Sequence, residues 1–196
     1  HWWVSSSSRA VDVFDIKADL LAVLGASFAN APITREAPAY YHPGRSGAVR
    51  LGNKLVAYFG EIHPAILDQM KIDVTPVVAF EIFMDAIPDA KKKGSAKPML
   101  ELSSFQPVTR DFAFVCPRGL ESDQIVKTIR AVDRALITKT SVFDIYEGKG
   151  IAEGHKSVAV TVTLQPMAQS LTDSDIEGVC QKIIGAVNAK TGATLR

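Results

Sequence analysis

The sequence has little of what would mark a disulfide-bonded or membrane-spanning protein. Its 196 residues include two cysteines, Cys116 and Cys180, which lie far apart and share no metal-ligand spacing with a histidine. We therefore expect free thiols and a reducing compartment, the cytoplasm. The apolar runs fall well short of the roughly 18 residues that a membrane span requires, and no signal peptide opens the chain.

The chain also lacks a large excess of positive or negative charge. The formal net charge is +1, and residues 99–196 contain eleven Lys or Arg and eleven Asp or Glu. Composition therefore gives no electrostatic argument for a nucleic-acid, membrane or acidic partner. Hydrophobic residues make up 47% of the chain and charged residues 22%, which is typical of a folded globular protein.

Motifs for catalysis, metal binding or nucleotide binding are missing as well. His42 and His63 each precede a proline, and neither belongs to a helical HExxH pattern. Arg45-Ser46-Gly47 and Gly148-Lys149-Gly150 lack the glycine spacing of Walker A and Rossmann loops. We predict no catalytic residue, no metal site and no cofactor site in this chain.

Hydrophobic periodicity predicts short helices and antiparallel strands in the first half. A helix is expected over residues 11–24, ending at Gly25, and residues 31–47 are expected to form a loop. Two tryptophans next to His1 suggest a fragment that lacks upstream partner residues. The other predicted elements are a hairpin over 49–59 turning at Gly52-Asn53, a helix over 64–70, a strand over 77–84 and a polar Lys-rich linker over 88–98.

The second half shows a regular strand, helix, strand, strand, helix, strand order. This order is typical of a ferredoxin-like βαββαβ domain, in which both helices cover one face of the sheet. Ser122 and Thr172 are the expected helix N-caps. The predicted strands are 108–115, 140–146, 157–164 and 193–196, with helices after Ser122 and Thr172.

Alternation along the strands predicts which side chains face the helices. Val158, Val160, Val162 and Leu164 should face them, and by similar reasoning so should Phe112, Phe114, Phe143 and Ile145. The opposite, open face should carry Asp111, Ala113, Asp144, Tyr146, Ser157, Ala159 and Thr161. Such a small polar surface with one aromatic suits contact with a base or a peptide, and it would also serve as a plain solvated face.

Several motifs, in order along nearly the whole chain, carry a family resemblance. They are His1-Trp2-Trp3, Phe14-Asp15-Ile16-Lys17-Ala18-Asp19, His42-Pro43-Gly44-Arg45-Ser46, Gly60-Glu61-Ile62-His63-Pro64, Phe105-Gln106-Pro107-Val108-Thr109-Arg110-Asp111-Phe112-Ala113-Phe114, Phe143-Asp144-Ile145-Tyr146-Glu147-Gly148, Gly154-His155-Lys156-Ser157-Val158-Ala159 and Leu171-Thr172-Asp173-Ser174-Asp175-Ile176. With these motifs the chain resembles the C-terminal part of the β subunit of bacterial phenylalanyl-tRNA synthetase.

The resemblance implies an α+β protein of two modules. Residues 1–97 would be the end of a non-catalytic, class II synthetase-like antiparallel module, and residues 98–196 a ferredoxin-fold anticodon-binding domain. The implied partners are the anticodon region of phenylalanine tRNA and a synthetase α subunit, within an α2β2 heterotetramer, with no membrane and no DNA. The holoenzyme would be a ligase that uses ATP and Mg2+, whereas this chain itself would catalyse nothing.

The resemblance also suggests how the open face would contact RNA. Unstacked loop bases are recognised by stacking on aromatic rings and by hydrogen bonds to base edges, so Tyr146 is the expected stacking residue. The expected polar partners of the base are Asp111, Asp144, Ser157 and Thr161. The expected phosphate contacts are Arg110, Arg118, Lys149, Lys156 and Arg196.

Two other functions fit the same fold. A ligand-sensing domain of the ACT kind would bind a small amino acid near the first strand-to-helix turn, here Pro117-Arg118-Gly119-Leu120. A structural assembly module would instead bury its open face against a neighbouring subunit.

Overall fold

A computed structural model describes residues 9–28, 30–88, 99 and 102–196. The chain divides into two compact units, residues 1–96 and 97–196. The predicted linker over 88–98 and the tryptophans near the first residue lie almost wholly outside the described residues. Each unit contains an antiparallel sheet, so the α+β prediction is confirmed.

The first unit is a four-stranded antiparallel sheet in the order β1-β2-β3-β4. Helix α1 packs on one face through Leu20, which meets Val49, Ala57 and Phe59 in a buried cluster. Asp12 caps α1 by accepting hydrogen bonds from the backbone N–H groups of Phe14 and Asp15. The elements are α1 (Val13–Leu24), β1 (Ile33–Thr34), β2 (Tyr41–Leu51), β3 (Lys54–Ile62), α2 (Pro64–Gln69) and β4 (Val78–Ile82).

The loop predicted over residues 31–47 is wrong. It contains β1 and the first half of β2, because Tyr41 pairs with Ile62 and Ser46 pairs with Gly60. The register shifts between these two pairs, so Pro43 and Gly44 sit in an irregular stretch of the strand. A bulged strand that contains Pro and Gly has the composition of a loop, which explains the error. The predicted hairpin at Gly52-Asn53 is confirmed.

The second unit is a ferredoxin-like βαββαβ domain, as predicted. Its strands lie in the order β6-β7-β5-β8, and every pair is antiparallel. Both crossovers, through α3 and α4, skip one strand. The elements are β5 (Val108–Pro117), α3 (Ser122–Val132), β6 (Ile137–Tyr146), β7 (His155–Leu164), α4 (Asp173–Thr191) and β8 (Thr194–Leu195).

The core of this unit lies between the sheet and the two helices. Phe114, Val158, Val160 and Val162 from the sheet are fully buried there, together with Ile129 from α3. Both thiols, Cys116 and Cys180, are free and buried in the same cluster. Burial raises the pKa of each thiol, so both stay protonated near neutral pH.

The prediction that Phe143 faces the helices is wrong, whereas Ile145 does lie on the helix side but is half exposed. Phe143 is 59% exposed and Ile145 is 50% exposed, whereas Thr140 and Val142 pair with the core residues Val162 and Val160. The register shifts between Val142 and Asp144, so one extra residue reverses the alternation along β6. Ile145 still lies opposite the core residue Val158, on the helix side.

One of the two predicted helix caps is correct. Thr172 caps α4, since its hydroxyl accepts from the backbone N–H of Asp175 while the Asp175 carboxylate accepts from the backbone N–H of Thr172. The Thr172 hydroxyl also donates to Asp175 Oδ2 at 2.7 Å, and this bond, together with the one from the Thr172 backbone N–H, holds the pKa of Asp175 below its usual value. For α3 the cap is Glu121, which makes no side-chain capping bond, and Ser122 is the first helical residue.

Thr140 offers a test of the core of the second unit. Its side chain is buried, and its hydroxyl has no hydrogen-bond partner among the described residues. Valine has the same shape without the unsatisfied hydroxyl, so Thr140→Val should raise the free energy of unfolding by about 1 kcal/mol. Thr161→Val, which removes a hydroxyl bonded to Asp111, should instead lower it by a similar amount. Urea unfolding would measure both, and equal effects would contradict this account.

Candidate nucleic-acid interface

The open face of the second sheet is built from cross-strand rows of side chains, because residues directly opposite each other share a face. One row joins Tyr146, Ser157 and Val115, and the next joins Asp144, Ala159 and Ala113. A third row joins Ser141, Thr161 and Asp111. The predicted membership of the open face is therefore confirmed for Asp111, Ala113, Asp144, Tyr146, Ser157, Ala159 and Thr161.

Tyr146 and Arg196 come together on this face from distant strands. The Arg196 backbone N–H donates to the Ala113 carbonyl at 2.8 Å, which continues the pairing of β8 with β5. The Arg196 guanidinium lies over the Tyr146 ring, with its central carbon 5.6 Å from the ring centroid. This cation–π contact places a planar cation beside the only aromatic residue of the predicted open face.

The backbone of Gly148 packs closely against the Tyr146 side chain. A Cβ atom at Gly148 would lie 2.8 Å from the Tyr146 Oη and 2.9 Å from its Cζ, closer than atoms can approach without displacement. The Tyr146 hydroxyl also donates to the Lys149 carbonyl at 3.3 Å. The turn after β6 therefore fixes the ring, which remains 39% exposed.

Asp111 and Thr161 form a polar pair in the middle of the face. Thr161 donates its hydroxyl to Asp111 Oδ1 at 2.5 Å across β5 and β7. Its hydroxyl proton is thereby committed, so towards a ligand both Thr161 and Asp111 can only accept hydrogen bonds. Asp144, on the neighbouring strand, adds a second exposed carboxylate. Acceptors of this kind suit the N–H groups of a base edge.

Ser157 lies on the open face but is only 3% exposed. It stands between Val115 and Tyr146 in the cross-strand row, at the floor of the site. Ala113 and Ala159, beside it, are also small. Small side chains therefore lie next to Tyr146 on this face, and Ser157 itself is covered.

Arg110 and Lys156 do not lie on the open face. Arg110 is opposite the core residue Val162, and Lys156 is opposite the buried Cys116, so both belong to the helix side. Arg110 is close enough to α4 to lower the pKa of Cys180, against the stronger effect of burial. Lys156 is only 9% exposed. The structure thus separates these two cations from the other predicted RNA contacts.

Arg118 and Lys149 lie at the end of the sheet where β5 and β6 finish. Arg118 Nε lies 3.2 Å from Glu147 Oε2, and the Arg118 backbone N–H donates to the Gly154 carbonyl. Lys149 is exposed in the turn whose carbonyl binds Tyr146. The charge of Arg118 is thus partly neutralised, whereas the Lys149 side chain is exposed and its backbone carbonyl lies beside the Tyr146 hydroxyl.

Sequence reasoning missed Lys139, which adds a cation to the open face. Lys139 pairs with Thr163 because a second register shift, between Ile137 and Lys139, precedes it in β6. A strand predicted to start at residue 137 instead of 140 would have included Lys139. The face on which its side chain lies would still have been unknown, because it depends on the register shift. The face then holds two carboxylates, from Asp111 and Asp144, and two cations, from Lys139 and Arg196.

The described part of the chain contains no group of three or more His, Cys, Asp or Glu side chains that could hold a metal ion. Among the same residues, no helix is both long enough and apolar enough to cross a membrane. The arrangement on the open face can stack a planar ring and bind its polar edge.

Two sequence families match the two halves of the chain. Residues 103–196 match the family described as "Ferredoxin-fold anticodon binding domain", which covers the sheet just described. Residues 1–84 match the family described as "Phenylalanyl tRNA synthetase beta chain CLM domain". Both matches agree with the resemblance seen in the motifs.

Curated relatives match the chain from end to end. A phenylalanine–tRNA ligase beta subunit of Paramagnetospirillum magneticum is 50% identical over 201 aligned residues, which cover 100% of this chain and 25% of that protein. Those of Bradyrhizobium diazoefficiens and Rhodopseudomonas palustris are each 48% identical, with the same coverage. The chain thus spans about a quarter of the length of these relatives. It belongs to the phenylalanine–tRNA ligase β-subunit family and contains that family's ferredoxin-fold anticodon-binding domain.

Proposed function

We propose that the open face of residues 98–196 contacts the anticodon region of phenylalanine tRNA. The observation that carries this proposal is the Tyr146 ring, held by Gly148 and Arg196 next to small residues of the same face. A loop base would stack on or beside the ring and guanidinium, and its edge would donate to the carboxylates of Asp111 or Asp144. Lys139, Lys149 and Arg196 are the cations best placed for phosphates.

The remaining parts of the proposal concern the complete enzyme. Residues 1–97 would be the C-terminal part of a non-catalytic, class II synthetase-like module that supports assembly with an α subunit in an α2β2 heterotetramer. The ligase would use ATP and Mg2+ at a site outside this chain and would act in the cytoplasm. The family matches support this assignment over an amino-acid sensor of the ACT kind.

Removing residues 97–196 from the β subunit of the complete enzyme tests the proposal. We expect phenylalanine-dependent ATP–pyrophosphate exchange to stay within about twofold, since the proposed activation site lies elsewhere. The kcat/KM for phenylalanine tRNA should fall at least about tenfold, because each stacked base contributes about 1–3 kcal/mol. In addition, the truncated enzyme should have the same kcat/KM for a tRNA with an altered anticodon as for the natural tRNA.

Two results would contradict the proposal. One is an unchanged preference for the natural anticodon after truncation. The other is equal loss of pyrophosphate exchange and of charging in a correctly assembled enzyme, which would make this unit part of the catalytic framework. Size-exclusion chromatography of the truncated enzyme with its α subunit is the control for assembly.

The chain by itself should bind tRNA weakly. Phosphate neutralisation supplies much of nucleic-acid affinity, and residues 99–196 have equal numbers of acidic and basic side chains. We therefore expect a dissociation constant above about 1 μM for phenylalanine tRNA at moderate salt. Fluorescence anisotropy with labelled tRNA would measure it, and submicromolar binding would show that shape and stacking outweigh charge.

A further inference from the structure

The first unit has a carboxylate surrounded by tyrosines on the sheet face that α1 does not cover. Glu81 in β4 lies directly opposite Tyr58 in β3. The Tyr40 hydroxyl donates a short hydrogen bond to Glu81 Oε1. Burial raises the pKa of Tyr41, and the nearby charge of Glu81 adds to that rise. Phe83 completes the group, which we call the Glu81 cluster: Tyr40, Tyr41, Tyr58, Glu81 and Phe83.

The aromatic rings of the cluster stand in two pairs. The Tyr40 and Tyr41 rings have centroids 5.0 Å apart, and the Tyr58 and Phe83 rings meet edge to face at 5.6 Å. Tyr40 is 41% exposed and Phe83 is 38% exposed, so one ring of each pair is accessible to a ligand, whereas Tyr41 is buried. Through its bond with Tyr40 and its pairing with Tyr58, Glu81 contacts a member of each pair.

Among the described residues, no cation forms an ion pair with Glu81. The ion pairs among the described residues of this unit join Arg9 to Asp12 and Asp15, Arg45 to Glu61, and Arg50 to Glu36, and none involves Glu81. The bond to Glu81 raises the pKa of Tyr40 to about 12, so its phenol is neutral and donates its proton to the carboxylate. The cluster therefore presents one negative charge among electron-rich rings.

We propose that the Glu81 cluster receives an arginine side chain of a polypeptide segment outside this chain. The carboxylate supplies charge complementarity for a cation, and the ring faces attract it further. A guanidinium suits the site better than an ammonium because it is planar, stacks on aromatic rings and donates two parallel hydrogen bonds to a carboxylate. A segment is available, since the family's β subunits are about four times as long as this chain.

Nuclear magnetic resonance of the full chain with ¹³C-labelled tyrosine tests the assignment directly. The probe is Nα-acetyl-arginine methylamide, and the matched neutral compound is Nα-acetyl-citrulline methylamide. We expect saturable shifts of the Tyr40 and Tyr58 ring signals with the arginine probe and none with citrulline. Glu81→Gln should weaken binding at least fivefold, whereas Glu36→Gln, an equal charge change on the same unit, should leave it within twofold.

Three results would overturn the proposal: the absence of a saturable shift with arginine, equal shifts with citrulline, and equal affinity in Glu81→Gln and the wild type. A lysine probe that binds as tightly as arginine would overturn the choice of a guanidinium. If Glu81→Gln does not fold, Phe83→Leu gives the same test by removing one ring while keeping an apolar side chain. It should weaken binding at least twofold, and unchanged affinity would count against the cluster.

Discussion

Tyr146→Ala in the complete enzyme should lower kcat/KM for phenylalanine tRNA by about 10- to 100-fold while leaving phenylalanine activation unchanged. The ring is the exposed aromatic centre of the open face, and loss of one base–aromatic stack costs about 1–3 kcal/mol. The loss should be smaller for a tRNA with an altered anticodon, so selectivity should fall along with rate. Charging assays with both tRNAs would measure this change.

Two variants separate stacking from other effects of the substitution. Tyr146→Phe keeps the ring and removes only the 3.3 Å hydrogen bond to the Lys149 carbonyl, so it should retain most activity. Arg110→Ala removes a cation from the same domain, but on the helix side, and should change kcat/KM less than twofold. If Tyr146→Ala behaves like Tyr146→Phe, the ring does not stack on the tRNA.

Gly60→Ala should destabilise the first unit by about 3 kcal/mol or more. Gly60 has a φ of +155°, and an added Cβ would lie 2.6 Å from the Arg45 carbonyl oxygen and 2.5 Å from the Ser46 Cβ. The main chain of β2 cannot withdraw without breaking its pairing with β3, so strain and overpacking add together. Amide hydrogen exchange would resolve the effect, since protection should fall in residues 9–88 and persist in residues 102–196.

Gly52→Ala is the matched control for backbone strain alone. Gly52 has a φ of +57°, but an added Cβ there would meet nothing within 4 Å. Its cost should be about 1 kcal/mol, the penalty for placing alanine in the left-handed region. Equal losses of protection in the two variants would show that conformation, and not the contact with β2, makes Gly60 necessary.

Much of the fold could be predicted because its patterns are local. The alternation of Val158, Val160 and Val162 identified a strand and its buried face, and Thr172 as an N-cap marked the start of α4. The errors arose where one strand departs from regular geometry. A bulge changes which face a side chain occupies, and β6 has two register shifts, near residues 138 and 143. Phe143 was misplaced for that reason.

The candidate site was predicted less completely, because its contacts join residues far apart in sequence. Tyr146 and the open-face members followed from strand alternation, but the contact between Arg196 and the Tyr146 ring depends on β8 lying beside β5. The position of Arg110 off the open face could have been predicted from the sequence. Arg110 directly precedes Asp111, and neighbouring residues of a strand point to opposite faces of the sheet. The burial of Lys156 required three-dimensional packing.

The irregular geometry of β6 also bears on solubility. β6 is an outer strand of its sheet, so its outward backbone groups could template the addition of a strand from another molecule. Two interruptions of the register within ten residues break up that template. The two register shifts should therefore reduce the tendency of this edge strand, with its exposed Phe143 and Ile145, to pair with a second molecule.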